Sequence, residues 1–295
     1  MTDLHMHSVF SEDGEFTPSE LAEIFCRAGA DTISLTDHNT VHGVPEAAAA
    51  AEKAGLRFIT GIEIDCRLSD TDFHILGYGV DIKNAFFDYI EKSYARLYAE
   101  ASDRMLAKLQ KLGLNPKKSA MEEIAKNCYW KGGYYHECFG QALLEDPDYA
   151  DSPLLAPFRP GGKYEANPLF GFYLEYFTMG ALCYVPKEFP SAEEVIEGIH
   201  SAGGFAVVAH PGNNIRSRYE LLDSLCELGI DGLEAFSSYH SSETNEFYFE
   251  QARKRGLLVT AGSDFHGKIK PAIAPCSTQY DAAAVNAATA LLLKQ

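Results

Sequence analysis

The sequence predicts an α/β protein in which mostly parallel strands close into a (β/α) barrel. Short apolar strands alternate with helix-like segments over the first 80 residues, and the alternation resumes after about residue 188. Such alternation is typical of a parallel sheet that is covered by helices. About seven strands can be distinguished, and that number favours a barrel over an open sheet.

The N-terminal part supplies four of these strands. The strand "MTDLHMH" precedes the helix "FTPSELAEIFCRAGA". In that helix Thr17 is the expected N-cap, Pro18 the first helical residue and Glu20 the partner in a capping box. The strand "DTISLTDH", the helix "VPEAAAAAEKAG" and the strands "LRFITGIEID" and "FHILGYGVD" follow.

The middle of the chain breaks this pattern. Residues 82–187 are helical and aromatic, with one long helical pattern in "NAFFDYIEKSYARLYAEASDRMLAKLQKLG" and a turn-rich loop in "EDPDYADSPLLAPFRPGGKYEANP". We therefore predict a barrel formed by residues 1–81 and 188–295. Residues 82–187 are predicted to form a helical insertion that contributes to substrate specificity.

The C-terminal part returns to strands and helices. A capping box at Ser191 and Glu194 opens the helix "SAEEVIEGIHSAGG". The strands "FAVVAHP", "IDGLEAF" and "LLVTAGSDFHG" are separated by the helices "RYELLDSLCELG" and "SSETNEFYFEQARKRG". A terminal helix is expected near residues 281–293.

Composition limits the classes of function. The 295 residues are 46% hydrophobic and carry a net charge of −17, so a large core is expected and a long nucleic acid is not an expected partner. The seven cysteines show no C-x-x-C pair, which favours reduced thiols in a cytoplasmic protein. No apolar run approaches membrane-spanning length, so no membrane association is expected. The oligomeric state is not predictable from the chain.

Candidate metal ligands recur at the ends of the predicted strands. His5 and His7 are two residues apart and would share one face of a strand, although such a pair alone is a weak metal signal. Residues of the same chemical kinds follow on other strands or in the loop after the first one; they are Asp13, His38, Glu63, His74, His210, Asp264 and His266. Imidazole and carboxylate ligands without thiolates favour Mn, Fe or Zn, and the set is large enough for two or three ions.

Taken together, these motifs resemble the PHP (polymerase and histidinol phosphatase) family. The resemblance rests on "DLHMHS", a following Ser-x-Asp-Gly, "LTDHNT", "GIEI", "AHPGN" and "GSDFHG", in that order. It covers about residues 1–80 and 188–270, and the insertion resembles that of the family's stand-alone phosphoesterases. The resemblance implies a distorted (β/α)7 TIM-like barrel of the amidohydrolase-like group with a mainly helical insertion domain.

The resemblance also implies a ligand set for three clustered divalent ions. His5, His7, Glu63 and Asp264 would hold the first ion, and Glu63 would bridge to a second that is held by His74 and His210. Asp13, His38 and His266 would hold the third. Glu12 and Asp13 both remain candidates for the loop ligand, and Asp13 is preferred because it directly precedes Gly14.

We hypothesise that a hydroxide bridging the metal pair at Glu63 attacks phosphorus, with Asp264 as a further ligand at the reacting centre. Arg216 and Arg218 follow the strand of His210, where a guanidinium could hold a phosphate group. His240 resembles a family histidine beside the substrate and is the candidate proton donor to the leaving oxygen. Lys163 in the insertion is a further candidate for a second phosphate, and Asp37 is expected to orient a ligand histidine.

Several other groups carry no clear function in the sequence. The lysines and arginine at Lys131, Arg159, Lys268 and Lys270 fit a second phosphate and ordinary surface charge equally well. His42, His136 and His200 lack a supporting partner, so a surface or core role is expected for each.

The predicted function is metal-dependent hydrolysis of phosphate esters on a small phosphorylated metabolite. A nucleoside bisphosphate, a phosphorylated sugar and a cyclic phosphodiester all fit. The alternatives are a histidinol-phosphate phosphatase, a DNA-editing exonuclease, an amide or ring hydrolase, and a binding module in which metals only stabilise the barrel.

Overall fold

The computed structural model describes residues 1–294. These residues form two compact units. One unit comprises Met1–Glu91 together with the chain from Phe189 onwards, and the other comprises Lys92–Glu188.

The first unit contains a seven-stranded sheet whose spatial order follows the chain order. The strands are β1 (Thr2–Asp3), β2 (Thr32–Leu35), β3 (Arg57–Leu68), β4 (Thr71–Tyr78), β5 (Phe205–Val208), β6 (Gly232–Ser237) and β7 (Leu258–Gly262). The backbone N–H of Leu4 donates to the carbonyl of Ala261 at 3.0 Å, and Met6 forms a parallel bridge with Phe265. These contacts bring the first and last strands together, so the sheet is nearly closed into the predicted barrel.

One strand runs against the predicted direction of the barrel. The pairs β1–β2, β2–β3, β5–β6 and β6–β7 are parallel, whereas β4 is antiparallel to both of its neighbours. A tight hairpin joins β3 to β4, with Ser69 at a φ of 55°. His74 therefore lies on a strand of opposite direction, and the expectation that ligands follow carboxyl ends of parallel strands does not apply to it.

Helices flank the strands and make up most of the second unit. They are α1 (Pro18–Arg27), α2 (Val44–Ala54), α3 (Ala85–Lys111), α4 (Lys118–Ile124), α5 (His136–Leu144), α6 (Pro168–Tyr176), α7 (Ala192–Ser201), α8 (Pro211–Asn214), α9 (Glu220–Glu227), α10 (Ser242–Arg255) and α11 (Ala282–Leu292). The predicted capping box is present, because Thr17 and Glu20 exchange hydrogen bonds at the start of α1. In the described part of the chain, no helix is both long and apolar enough to cross a membrane.

The core of the barrel unit explains which side chains turn inward on β3. Ile62 and Ile64 are fully buried in an apolar cluster with Ile196 and Ile199 of α7. Because neighbouring side chains on a strand point to opposite faces, Glu63 points away from this helix layer and into the barrel. A separate cluster, with Leu109, Phe139 and Phe172 among its members, forms the core of the second unit.

Candidate metal centre

Hydrogen bonds to residues that follow β7 fix the position of the N-terminal segment. The Asp3 carboxylate accepts hydrogen bonds from the backbone N–H groups of Ser263 and Cys276, each at 2.9 Å. The His7 N–H donates to the carbonyl of Phe265 at 3.0 Å. His5 and His7 are consequently fixed with no exposed surface.

The first group of predicted ligands converges on one point. The Nε2 atoms of His5 and His7 each lie 3.1 Å from Glu63 Oε2. The same two nitrogens lie 3.1 Å and 2.9 Å from Asp264 Oδ1. Four side chains from three separate parts of the chain thus offer one ligand atom each to a shared space.

The outer hydrogen bonds decide which ring nitrogens carry protons. His5 Nδ1 lies 2.9 Å from Glu234 Oε1, and since an ionised carboxylate can only accept, Nδ1 is the donor. His7 Nδ1 donates to Ser11 Oγ at 3.0 Å, and that hydroxyl donates to Asp37 Oδ1 at 3.0 Å. Asp37 therefore orients His7 through Ser11, in the positioning role that the sequence suggested.

With the imidazoles neutral, as metal ligands must be, this arrangement leaves lone pairs facing lone pairs. The Nε2 atoms of His5 and His7, Oε2 of Glu63 and Oδ1 of Asp264 are buried and have no hydrogen-bond partner. Buried acceptors without donors are costly unless a cation lies among them. The residues present therefore fit a divalent ion, since imidazole and carboxylate are its usual ligands.

Glu63 also reaches a second group of ligands. Its Oε1 atom lies 2.9 Å from His74 Nδ1 and 3.2 Å from His210 Nε2. His210 Nδ1 faces the Asn214 side-chain oxygen at 3.2 Å, which leaves the Nε2 lone pair directed at Glu63. One carboxylate thus contacts two groups through its two oxygens, as a bridging ligand requires.

The third group contains Asp13, His38 and His266, and His7 of the first group also lies within reach of it. His266 Nε2 lies 3.1 Å from Asp13 Oδ2, and His38 Nε2 lies 4.0 Å from Asp13 Oδ1. His266 Nδ1 donates to the backbone carbonyl of Asp264 at 2.8 Å, so its Nε2 also holds a lone pair. Of the two loop candidates, the structure places Asp13 in such a group, and Glu12 belongs to none that the described residues form.

The carboxylates set the electrostatics of the centre. Burial alone would lower the pKa of His7, but Asp264 and Glu63 raise it to about 9. Burial opposes the same effect on His74, whose pKa Glu63 raises to about 9. The pKa of Glu63 lies well below its ordinary value, because the surrounding imidazoles outweigh the effect of burial. The centre therefore attracts positive charge strongly.

Backbone geometry supports these positions. His210 and Asp264 adopt φ angles of 27° and 56°, in the left-handed region that residues other than glycine rarely enter. At position 262 only glycine fits, because a Cβ there would overlap the His5 side chain and Glu234 Oε1. Such strain and close packing are often found at functional sites.

Two acidic residues near the ligands were missed by the sequence analysis. Glu234 of β6 holds His5 and also accepts the backbone N–H of His210 at 2.8 Å. Asp65 of β3 lies 3.3 Å from His74 Nε2 and forms a further possible ligand group with His38 and His74. Both had a signal in the sequence, since Asp65 stands two residues after Glu63 and Glu234 interrupts an apolar strand.

The two arginines predicted to bind substrate differ in how far their guanidinium groups are already engaged. Arg216 is exposed with a φ of 52°, and its Nε donates to the carbonyl of Asn213. The Arg218 guanidinium is already engaged with Asp70 at 2.7 Å and with Glu220 at 3.3 Å. Binding of a phosphate by Arg218 would therefore require these ion pairs to break.

His240 and Lys163 are also engaged. His240 Nδ1 donates to the carbonyl of Ala235 at 3.2 Å, and Nε2 accepts the N–H of Gly212 at 3.0 Å. Proton donation to a leaving oxygen would require Nε2 to release that N–H and gain a proton, so the role of His240 stays a prediction. Lys163, in the second unit, is exposed and lies 3.8 Å from Glu175.

The three histidines without an assigned role lie outside these groups of ligands. His200 pairs with Asp231 at 2.8 Å, and His136 pairs with Glu137 at 2.9 Å. The ring of His42 lies 5.1 Å from that of Phe10. None of the three belongs to a possible ligand group among the described residues.

Comparison with known proteins agrees with the family resemblance of the sequence. The family model of the PHP domain matches residues 3–146. The chain is 29% identical over 276 residues to a 3′,5′-nucleoside bisphosphate phosphatase of Chromobacterium violaceum, covering 90% of this chain and 86% of that protein. It is 29% identical to a phosphoribosyl 1,2-cyclic phosphate 1,2-diphosphodiesterase of Eggerthella lenta, covering 90% of this chain and 94% of that protein.

A third relative is named for a different activity. A 5′-3′ exoribonuclease of Haemophilus influenzae is 27% identical over 267 residues, covering 90% of this chain and 89% of that protein. Among solved structures, an amidohydrolase from Chromobacterium violaceum with bound sulfate and no metal superposes with a TM-score of 0.78. It is 26% identical and covers 95% of this chain and 91% of its own.

Proposed function

We propose that the chain is a member of the PHP family of metal-dependent phosphoesterases and that it removes phosphate from a small metabolite carrying more than one phosphate group. A nucleoside 3′,5′-bisphosphate is the first candidate, and a phosphorylated sugar or a cyclic phosphodiester are the others. Three divalent ions, of Mn, Fe or Zn, are proposed as the cofactors.

The observation that carries this proposal is the convergence of acceptors on Glu63. Five ring nitrogens, from His5, His7, His38, His74 and His210, lie within 3.3 Å of its two oxygens. A carboxylate so surrounded by buried imidazoles is of little use as a structural ion pair, since desolvation of all six groups would be unfavourable. As a ligand that bridges two ions, the Glu63 carboxylate would have its buried negative charge compensated.

The residues of the chain then divide the work. His5, His7, Glu63 and Asp264 would hold one ion, His74 and His210 with Glu63 a second, and Asp13 with His38 and His266 a third. Bound ions of this kind lower the pKa of water and neutralise charge on phosphoryl oxygens. Glu234, Ser11 and Asp37 hold the imidazoles in the tautomer that presents Nε2 to the site.

Arg216 is proposed as the phosphate-binding side chain of the protein. It lies six residues after His210, and apart from the Nε contact its guanidinium has no partner among the described residues. A guanidinium can bind two phosphate oxygens at once, so it suits a terminal phosphate. The sulfate in the Chromobacterium violaceum structure supports an oxyanion site in this fold.

The relatives favour a substrate with two phosphate groups or a cyclic ester. Their names describe action on a nucleoside bisphosphate and on a cyclic phosphate of phosphoribose. The net charge of −17 also agrees better with a small substrate than with a long polyanion.

The test is ester hydrolysis by the manganese-loaded protein across a panel of substrates, measured as free phosphate and, for the cyclic ester, also as the ring-opened monoester. The panel holds nucleoside 3′,5′-bisphosphates, a ribose 1,2-cyclic phosphate, sugar phosphates and histidinol phosphate. Glu63→Gln should abolish release and lower the metal content, because one amide oxygen cannot bridge two ions. Glu250→Gln is the matched control, since that half-buried carboxylate pairs with Arg253 at 2.7 Å and belongs to no ligand group among the described residues.

The possible results distinguish the proposed function from its alternatives. Release from the bisphosphates above all others supports the proposal, and preference for histidinol phosphate contradicts the proposed substrate class. A fully loaded protein that is inert on the whole panel would instead favour a binding module in which metals stabilise the barrel.

A further inference from the structure

Two lysines follow the last ligand motif, and the structure separates them. Lys268 has a side chain that is 89% exposed, and its Nζ lies 2.6 Å from Glu15 Oε1. Lys270 has a side chain that is only 26% exposed, and its Nζ lies 3.3 Å from Asp264 Oδ2. Lys268 therefore behaves as ordinary surface charge, whereas Lys270 is directed at the metal centre.

The contact between Lys270 and His266 is chemically specific. Lys270 Nζ lies 3.2 Å from His266 Nε2. Because His266 Nδ1 is committed as donor to the carbonyl of Asp264, Nε2 carries the lone pair. A lysine ammonium can only donate, so Lys270 uses the same lone pair through which His266 would bind a third ion.

The two carboxylate oxygens of Asp264 face different partners. Its Oδ1 atom faces His5 and His7 and has no hydrogen-bond partner, whereas Oδ2 accepts from Lys270. The Tyr239 hydroxyl also donates to Oδ2, at 2.6 Å. The Lys270 ammonium further lies 5.5 Å from the centre of the Tyr239 ring, within the range of a cation–π contact. The side chains of His266, Asp264 and Tyr239 together thus position the Lys270 ammonium.

We propose that the Lys270 ammonium competes with the third divalent ion for the lone pair of His266. The third ion is therefore the most weakly held of the three, and Lys270 leaves His266 when that ion enters. This inference rests on the ligand groups of the proposed function. It follows because an ammonium and a divalent ion within a few ångströms repel each other, and because one lone pair serves only one of them.

The charge balance of the third group agrees with this competition. Its only carboxylate is Asp13. Burial would raise the pKa of Asp13, but His266 and the other nearby basic side chains hold it well below the ordinary value. Burial lowers the pKa of Lys270, but the carboxylates of Asp264, Asp13 and Glu63 outweigh it and raise the pKa, so the amine stays charged. One carboxylate with two neutral imidazoles offers less compensation for a divalent ion than Glu63 and Asp264 offer together.

The first experiment measures ion binding and does not depend on activity. Metal-free protein is titrated with Mn²⁺, and bound ions are counted after equilibrium dialysis. In Lys270→Met, which keeps an unbranched side chain one atom shorter and removes the charge, the affinity for the third ion should rise by about tenfold or more. The affinities for the first two should change far less, and Lys268→Met should match the parent protein.

An unchanged or weaker third ion in a folded Lys270→Met variant overturns the inference, while two tightly bound ions would leave the proposed function standing. A parent protein that binds no Mn²⁺ overturns the proposed function itself. A parent that retains two ions and a variant that retains three would be the strongest support.

The second experiment uses the unaltered protein and so does not depend on how a variant folds. Lysines are acetylated with a water-soluble reagent at increasing Mn²⁺, and the modified peptides are counted by mass spectrometry. Acetylation of Lys270 should increase as the third ion binds, because the amine is released from His266 and Asp264. Acetylation of Lys268 should stay constant. No increase at Lys270 while the third ion binds would contradict the competition.

Discussion

At the scale of single residues, the centre depends on groups that are not ligands. Glu234 is fully buried, with Oε1 on the His5 ring and Oε2 on the His210 backbone N–H. It therefore fixes one predicted ligand of the first group and one of the second. Its sequence separation of 229 from His5 explains why no local pattern could reveal the contact.

Glu234→Gln should weaken metal binding while preserving the fold. A glutamine has only one side-chain acceptor, so either His5 Nδ1 or the His210 N–H would face an NH₂ group. Loss of an outer partner of a metal ligand typically costs about 10–100-fold in metal affinity. The measurement is the Mn²⁺ dissociation constant, with unfolding by urea as the check on the fold.

The matched control is Asp231→Asn. Asp231 also holds an imidazole and a backbone N–H, those of His200 and Ala206, but it belongs to no ligand group among the described residues. Similar losses of metal affinity in both variants would show that Glu234 has no special role in the centre.

The raised pKa values of two histidines predict how pH acts on the metal-free protein. Both His7 and His74 have a pKa raised from 6.5 to about 9, with burial opposing and Glu63 and Asp264 among the groups that raise it. Groups whose pKa is raised on folding stabilise the fold fully below the unfolded value, and that contribution is lost as pH rises through the folded value. The metal-free protein should therefore lose stability between about pH 6.5 and pH 9.

Mn²⁺ should reverse this trend, because an ion replaces the protons among the same carboxylates. Its affinity should rise over the same pH range as the imidazoles lose their protons. Urea unfolding at several pH values, with and without Mn²⁺, measures both effects. A metal-free protein whose stability increased towards pH 9 would contradict the protonated state of these two histidines.

Most of the ligand set was accessible from the sequence, because all members except Asp13 directly follow or interrupt an apolar strand, and Asp13 lies in the loop after the first one. The nine residues proposed as ligands, from His5 to His266, all fall in the ligand groups that the structure forms. The role of Lys270 was not accessible. Its position two residues after Lys268 gave both lysines the same appearance, and only the turn at residues 267–269 directs one of them inward.

At the scale of elements, the close approach of β1 to β7 places the first group of ligands. Gly262 ends β7, and its missing Cβ leaves the space that the side chains of His5 and Glu234 occupy. The predicted helices were identified from their caps and apolar spacing, which are local signals. The reversal of β4 was not predicted, because strand direction depends on partners that are distant in the chain.

Gly262→Ala should destabilise the protein and weaken its metal binding together. An added methyl group would displace the segment of His5, and overpacking of this kind typically costs about 1–3 kcal/mol. Urea unfolding of the metal-free protein and its Mn²⁺ content after dialysis are the two measurements.

A second variant separates general instability from local displacement. Thr17→Ala removes the N-cap of α1 and should cost about 1 kcal/mol, but its side chain contacts no predicted ligand in the described structure. It should keep its metal content. If both variants lose metal equally at equal loss of stability, the argument for a precise fit between β7 and His5 fails.

At the scale of the whole molecule, charge bears on the choice between small and long substrates. Aspartate and glutamate total 42 against 25 lysines and arginines, which gives the net charge of −17. One relative is named an exoribonuclease, so small and long substrates should be separated by a test that depends on electrostatics rather than on names.

Salt provides that test. A basic nuclease loses affinity for long RNA as salt rises, because counterions released on binding favour association at low salt. An acidic protein without such a basic path should repel a 20-nucleotide RNA, and the repulsion is screened as the Debye length shortens to about 8 Å at physiological salt. We therefore expect kcat/KM for the RNA to rise between low and physiological salt. For a nucleoside 3′,5′-bisphosphate, which meets mainly the ions and Arg216, kcat/KM should be higher throughout and should change less. A fall in kcat/KM for the RNA over this range would instead reveal a local basic path, and it would place this chain with the RNA-degrading relatives.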